Sequence, residues 1–200
     1  VIYHLIYNIM WHIFFIGWVS WSWKGTLINN LRNLNHPKLH FPLSYKTRPI
    51  RETETNWVDA HFVTPEVFYA WVQAWEFLEY AVVHQTDYYW TKFSDVLDNW
   101  IHLWKIVIKE IDVIWLQDLK ETHPHLDEKY STIFLDIPID LISQRIQKRW
   151  ALMTNGELEN RLNSAKMEIN KSKELFNHIV DATQSPEQVL NDILKILNIE

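Results

Sequence analysis

An apolar run ending at Ile16 passes directly into Gly17-Trp18-Val19-Ser20-Trp21-Ser22-Trp23-Lys24-Gly25-Thr26 and then into the helix-like Leu27-Ile28-Asn29-Asn30-Leu31. Strand, short loop, lysine and helix is the order in which a phosphate-binding loop is built. Its pattern, G-x-x-x-x-G-K-[ST], uses glycines so that backbone N–H groups curl around phosphate oxygens while the lysine reaches the outer phosphates. Trp18 and Trp23 occupy the two glycine positions and Lys24 the lysine position. Tryptophan does not adopt positive φ cheaply, and its indole fills space that a triphosphate must enter. With glycine at Trp18, Trp21 and Trp23 the segment is a phosphate loop; read literally, it does not cradle ATP.

The whole composition repeats this exchange. The 200 residues include 3 glycines and 12 tryptophans, where a soluble chain carries glycine at about 7%. Glycine and tryptophan together make an ordinary glycine count. The reading that accounts for this is that many tryptophans stand where the native polypeptide has glycine. UGA codons meaning glycine, translated with a table that reads them as tryptophan, would produce that pattern.

At 48% hydrophobic residues the length suits one substantial core with a mobile subdomain. The chain has no cysteine, which excludes disulfides and thiolate metal sites. A net charge of −6 argues against a general nucleic-acid surface. Residues 1–23 contain no Asp, Glu, Lys or Arg, but His4, Asn8 and His12 interrupt the run and no basic flank precedes it. A buried first strand, His12 to Ile16, explains it better than a membrane span. Met10 fits a translation start, making residues 1–9 an upstream extension, and a cytoplasmic location follows from that reading.

Periodicity predicts helices over Thr26–Leu34, Glu66–Gln73, Lys92–His102, Ile139–Arg149, Glu157–Phe176 and Pro186–Leu197. Strands are expected at Ile106–Ile111, Ser131–Ile137 and His178–Val180. Strands alternating with helices indicate an α/β parallel sheet with ligands beyond the strand carboxyl ends. The ten histidines offer no metal set, since His123 and His125 flank Pro124 without a third ligand at useful spacing.

From about Met10 onward the chain resembles the bacterial guanylate kinases, motif by motif and in order. The loop resembles the family's S-G-P-S-G-x-G-K-[SG]-T, and Ser44-Tyr45-Lys46-Thr47-Arg48-Pro49-Ile50-Arg51 resembles S-x-T-T-R-x-P-R. Asn56-Trp57-Val58-Asp59-Ala60-His61-Phe62-Val63 resembles N-G-x-D-Y-x-F-V. Trp75-Glu76-Phe77-Leu78-Glu79-Tyr80 resembles G-E-F-L-E-[YW], and Tyr88-Tyr89-Trp90-Thr91 resembles Y-Y-G-T. Later, Trp104-Lys105, Glu110 to Trp115, Gln144 to Trp150 and Asn160-Arg161-Leu162 resemble G-K, [DE]-I-D-x-Q-G, R-R-L-x-x-R-G and R-R-L. Trp18, Trp21, Trp23, Trp57, Trp75, Trp90, Trp104, Trp115 and Trp150 all fall on family glycines.

The resemblance implies a P-loop nucleoside monophosphate kinase fold, with a parallel-sheet core (10–43, 103–137 and 162–200), a GMP-binding insert (44–102) and a helical lid (138–161). It implies transfer of the γ-phosphoryl group of ATP to GMP or dGMP, giving GDP or dGDP, with Mg²⁺ accompanying ATP. ATP would be held by Trp18, Val19, Ser20, Trp21, Ser22, Trp23, Lys24, Gly25 and Thr26. Lys24, Arg145, Arg149 and Arg161 would neutralise the transferring group, since guanidinium forks bind phosphate oxygens bidentately. Arg48, Arg51 and Tyr89 would hold the GMP phosphate; Ser44, Glu79, Thr91 and Glu110 would read guanine. A carboxylate suits guanine's adjacent N1–H and amine donors, which makes Glu79 the expected specificity residue. Asp112 and Thr26 would organise the Mg²⁺. No nucleic acid or membrane partner is implied, and the oligomeric state is open.

The chain departs from the family pattern at Ala60, where a tyrosine usually touches the GMP phosphate, at Ile114, usually glutamine, and at Gly25, usually a hydroxyl residue. The family's adenine-side asparagine has no clear match near Val180-Asp181-Ala182. Two rivals stand beside the kinase reading. Guanylate-kinase-like modules without an ATP loop serve as interaction scaffolds, which literal tryptophans would favour, and Ala60 leaves another nucleoside monophosphate open.

Overall fold

Strand β1, Ile13–Trp18, is apolar because helices cover both of its faces. Ile13 and Phe15 enter one core, with Val113, Leu116 and Leu119 of one helix and Ala165 of another. Phe14 and Ile16 enter the opposite core, with Leu27, Ile28 and Leu31 and with Val189 and Ile193. Alternation along a central strand thus feeds two layers, as the period of two requires. The computed structural model describes residues 13–19, 24–74, 77–83, 87–92, 94–96, 105–149 and 155–199, without the side chains of 24, 77–83, 87, 145–149, 155 and 157.

The elements after β1 are α1 (Lys24–Asn33), β2 (Leu39–His40), β3 (Tyr45–Lys46), β4 (His61–Phe62), α2 (Pro65–Gln73), β5 (Phe77–Val83) and β6 (Asp87–Lys92). They continue as β7 (Ile106–Glu110), α3 (Val113–Thr122), a 3-10 turn, β8 (Tyr130–Asp136), α4 (Ile139–Arg149), α5 (Asn155–Leu175), β9 (His178–Asp181) and α6 (Pro186–Ile196). Five strands form a parallel sheet in the order β2-β7-β1-β8-β9. The expected α/β parallel core is present. Helix ends follow local chemistry: Asp112 and Ser185 cap α3 and α6 through their side chains, Pro186 opens α6, and Asn35 at φ 47 ends the α1 region.

A second sheet, β4-β3-β6-β5, was not legible in the sequence. β5 and β6 are an antiparallel pair, and β3 adds to β6 through Tyr45 opposite Trp90. Its small core is aromatic: Tyr45, Phe68 and the fully buried Trp90, with Trp71 and Tyr88 against them. Tyr45 stacks on Trp90 at 5.4 Å between ring centres. The helix expected from Lys92 to His102 needs correction: Lys92 closes β6, only 94–96 are helical, and the rest lies outside the described residues. β1 is described from Ile13, and His12 also lies outside the described residues.

Gly17 is buried near the end of β1. A Cβ there would overlap the ring of Phe176, which itself packs on Phe134 at 5.1 Å. This glycine is needed for close approach rather than for a turn. Among the described residues no helix is long and apolar enough to cross a membrane.

Candidate nucleotide site

The carboxyl ends of β1, β7 and β8 meet at one edge of the parallel sheet. Ile16 of β1 lies opposite Glu110 of β7 and Ile133 of β8, and the Ile111 N–H donates to the Ile16 carbonyl at 3.0 Å. Neighbouring connections diverge there, opening the crevice in which such sheets bind ligands. Val19 is buried and α1 starts at Lys24, so strand and helix bracket the loop; 20–23 and the Lys24 side chain are outside the described residues. Gly25 has open space around it and no positive φ, so a hydroxyl residue would fit. Exposed Thr26 lines a small pocket with Leu27, Leu135, Ala182, Gln184 and Val189.

Asp112 follows β7 and is exposed. Its Oδ1 accepts the Ile114 N–H at 2.7 Å and the Trp115 N–H at 3.3 Å. One carboxylate oxygen is therefore spent on the helix cap. Among the described residues no group of three or more His, Cys, Asp or Glu could hold a metal.

A cavity of about 130 Å³ opens beside β7, lined by Ser44, Lys46, Asp59, Lys109, Glu110 and Arg32 over apolar Ile28, Phe41 and Ile108. Lys109 Nζ donates to Ser44 Oγ at 2.7 Å. Nearby, Arg48 is 8% exposed and four of its five N–H donors are engaged: Nε donates to the Tyr89 hydroxyl at 2.7 Å, Nη1 to Glu54 Oε2 at 2.7 Å and to the Pro49 carbonyl at 2.9 Å, and Nη2 to Glu54 Oε1. The Arg51 N–H also donates to Glu54, at 3.0 Å. The Arg48 guanidinium holds the Glu54 carboxyl down from 4.5 to about 2, and Glu54 in turn pushes Arg48 up.

The structure brings Arg48 and Tyr89 together and places Ser44 and Glu110 on one cavity. Register puts Glu79 opposite Thr91, which is fully buried; the Glu79 side chain is outside the described residues. Arg51 and Arg161 are exposed, Arg161 on α5. Arg145 and Arg149 lie on α4, their side chains outside the described residues. Sequence reasoning missed Glu54, Lys46 and Lys109. An acid six residues after Arg48 was a signal for the first, and a lysine inside the apolar Ile106-Val107-Ile108 strand was one for the last.

Four of the nine glycine-matched tryptophans are described. Trp57 sits at φ 67 and is 67% exposed, in a turn where its N–H donates to the Ala60 carbonyl at 2.9 Å. That left-handed backbone suits glycine or asparagine and strains a tryptophan. Trp18 and Trp90 lie in strands and Trp115 in α3, none at positive φ. Trp21, Trp23, Trp75, Trp104 and Trp150 lie outside the described residues.

The model of the guanylate kinase family matches residues 18–199. The chain belongs to the guanylate kinase family. It is 34% identical over 159 residues to a guanylate kinase of Tropheryma whipplei strain Twist, covering 80% of this chain and 79% of that one. A guanylate kinase of Neisseria gonorrhoeae is 33% identical over 187 residues, covering 94% and 87%. The crystal structure of the guanylate kinase from Anaplasma phagocytophilum superposes with a TM-score of 0.71 at 21% identity, covering 94% and 85%, which shows the shared fold. Guanylate kinases are ATP-dependent nucleotide kinases that generally use a divalent metal, and the scaffold alternative is not favoured by these relatives.

Two half-buried histidines, His40 of β2 and His61 of β4, each bury one ring nitrogen in this guanylate kinase family member. Burial, then Lys105, holds His40 below the ordinary 6.5; burial, then Lys109 and Lys92 against an opposing Asp95, does the same to His61. His40 Nε2 and His61 Nδ1 are buried without hydrogen-bond partners. The unfolded chain therefore binds protons that the folded one refuses, so stability falls as pH drops through and below 6.5. Melting temperature followed from pH 8 to 5.5 should decline, and His61→Phe should flatten the decline. An unchanged slope in that variant would remove His61 from the account.

Proposed function

We propose that this chain transfers the γ-phosphoryl group of ATP to the α-phosphate of GMP or dGMP. The observation that carries the reading is the cavity shared by Ser44 and Glu110 with the Arg48–Tyr89 pair beside it, next to the β1 carboxyl end, in a member of the guanylate kinase family. Both substrates are polyanions, so the protein's work is alignment and charge neutralisation rather than covalent catalysis.

In this reading Lys24 and the loop from Trp18 to Thr26 hold the β and γ phosphates. Arg145, Arg149 and Arg161 close over the transferring group from residues 138–161, acting as a lid. Arg48 and Arg51 take the GMP phosphate, with the Tyr89 hydroxyl; Ser44, Glu79, Thr91 and Glu110 take the base. Residues 44–102 act as the GMP-binding insert and 10–43, 103–137 and 162–200 as the core. Mg²⁺ would be held by phosphate oxygens with Asp112 and Thr26, directly or through water, and would supply charge neutralisation. The site of action is the cytoplasm.

The reading extends to the tryptophans. Nine of them stand where the catalytically competent polypeptide has glycine, and the strained backbone at Trp57 supports this. Codons at those positions decide it: UGA supports the glycine reading and UGG ends it. With glycine at the nine positions, ADP release should be fastest with GMP among GMP, AMP, UMP and dTMP. Preference for another nucleotide would overturn the substrate assignment.

A further inference from the structure

Lys109 is a lysine where the alternation of a buried strand asks for an apolar side chain. It is 4% exposed, between Ile108 and Glu110, and all three line the cavity beside Ser44. A buried ammonium is costly unless its hydrogens find acceptors. It has three donors and no acceptor, so the Ser44 hydroxyl oxygen must accept from Lys109 in the 2.7 Å contact. The Ser44 hydrogen then points elsewhere, as a donor. The Ser44 corner of the cavity is thereby fixed as a donor, whereas Glu110, which also lines the cavity, supplies an acceptor.

Guanine carries the complementary arrangement: acceptors at O6 and N7 on one edge, N1–H and the 2-amino group on the next. A carboxylate matches only the second edge. We propose that Lys109, directly and by fixing Ser44 as a donor, reads the 6-oxo group of the purine and is a specificity-determining residue. Adenine presents an amine at that position, so donor would face donor. The inference rests on reading the cavity as the GMP site, and it assigns the 6-position to a residue outside the motifs that carry the family resemblance.

The test is equilibrium binding by calorimetry, which requires no turnover. The probes are GMP and 6-thio-GMP, which keeps N1–H and the 2-amino group and replaces O6 with a poor acceptor. The unaltered chain should bind GMP about 10-fold or more tighter than the thio analogue, the worth of a hydrogen bond to a charged donor. Lys109→Met, similar in length and uncharged, should bring that ratio close to one and weaken GMP binding. Lys109→Gln keeps an N–H donor without the charge and should give an intermediate ratio, which carries the test if the methionine variant does not fold. A ratio unchanged in a folded variant, or absent from the unaltered chain while GMP binds, overturns the role of Lys109. Binding of neither nucleotide overturns the reading of the cavity itself.

Discussion

Glycine at Trp18, Trp21 and Trp23 should turn a chain with no detectable ATP binding into one that binds it in the about 1 μM to 1 mM range usual for enzyme substrates. The reason is geometric. A phosphate loop works by turning consecutive N–H groups inward, which needs backbone angles that glycine adopts freely, and by leaving the enclosed volume to the phosphates. Tryptophan neither turns that way cheaply nor leaves that volume open. Calorimetric titration of both chains with Mg·ATP checks the expectation, and comparable ATP binding by the tryptophan chain would sink it. Glycine elsewhere acts with mixed signs. Trp57→Gly should raise stability by about 1 kcal/mol by relieving the φ of 67. Trp90→Gly alone should cost about 3 to 5 kcal/mol, because a buried indole leaves the aromatic core of the second sheet. Exchange at all nine positions therefore requires Tyr45, Phe68 and Trp71 to repack.

Glu54→Gln should destabilise the folded chain by about 2 kcal/mol at pH 7, the range of charge-assisted hydrogen bonds, with the effect vanishing in acid. Glu54 is 15% exposed in its side chain and ionised down to about 2 in the folded chain, against 4.5 ordinarily. A depressed carboxyl contributes its full stability above 4.5 and loses it as pH falls toward 2. Unfolding midpoints of the two chains should thus differ at neutral pH and converge below pH 3. Arg48→Met should be worse, since it strands the Glu54 carboxylate and removes the proposed ligand of the GMP phosphate. GMP affinity should fall at least about 100-fold, two charge-assisted contacts' worth, with ATP affinity unchanged. A Glu54→Gln penalty that persists undiminished at pH 2.5 would show that the carboxylate's charge is irrelevant.

The parallel core was legible because β1 is a continuous apolar run, β7 and β8 carry the apolar stretches Ile106–Ile108 and Ile133–Leu135, and α4, α5 and α6 carry helical periodicity. The second sheet was not. β3 and β4 are two residues long, below any period, and the aromatic core beside β3 and β6 is assembled from residues of β3, α2 and β6 that lie far apart in sequence. At the site, Ser44, Arg48, Tyr89 and Glu110 were readable because they sit in motifs. Glu54 and Lys109 left only weak signals, an acid after Arg48 and a lysine closing an apolar run, because their meaning arises only when the loop after β3 folds back and β7 approaches Ser44.

Glu54 hangs on the same short loop as Arg48, so its carboxylate is present at the guanidinium at an effective concentration on the order of millimolar or above. At the proposed site GMP would not fill a vacancy; it would displace a tethered anion. A free phosphate or sulfate ion, with no base to anchor it, must meet that competitor with its charge alone. The loop would thereby set a threshold that only an anion carrying further recognition crosses, keeping the proposed site clear in a solution rich in inorganic phosphate and returning Arg48 to a neutralised state when product leaves.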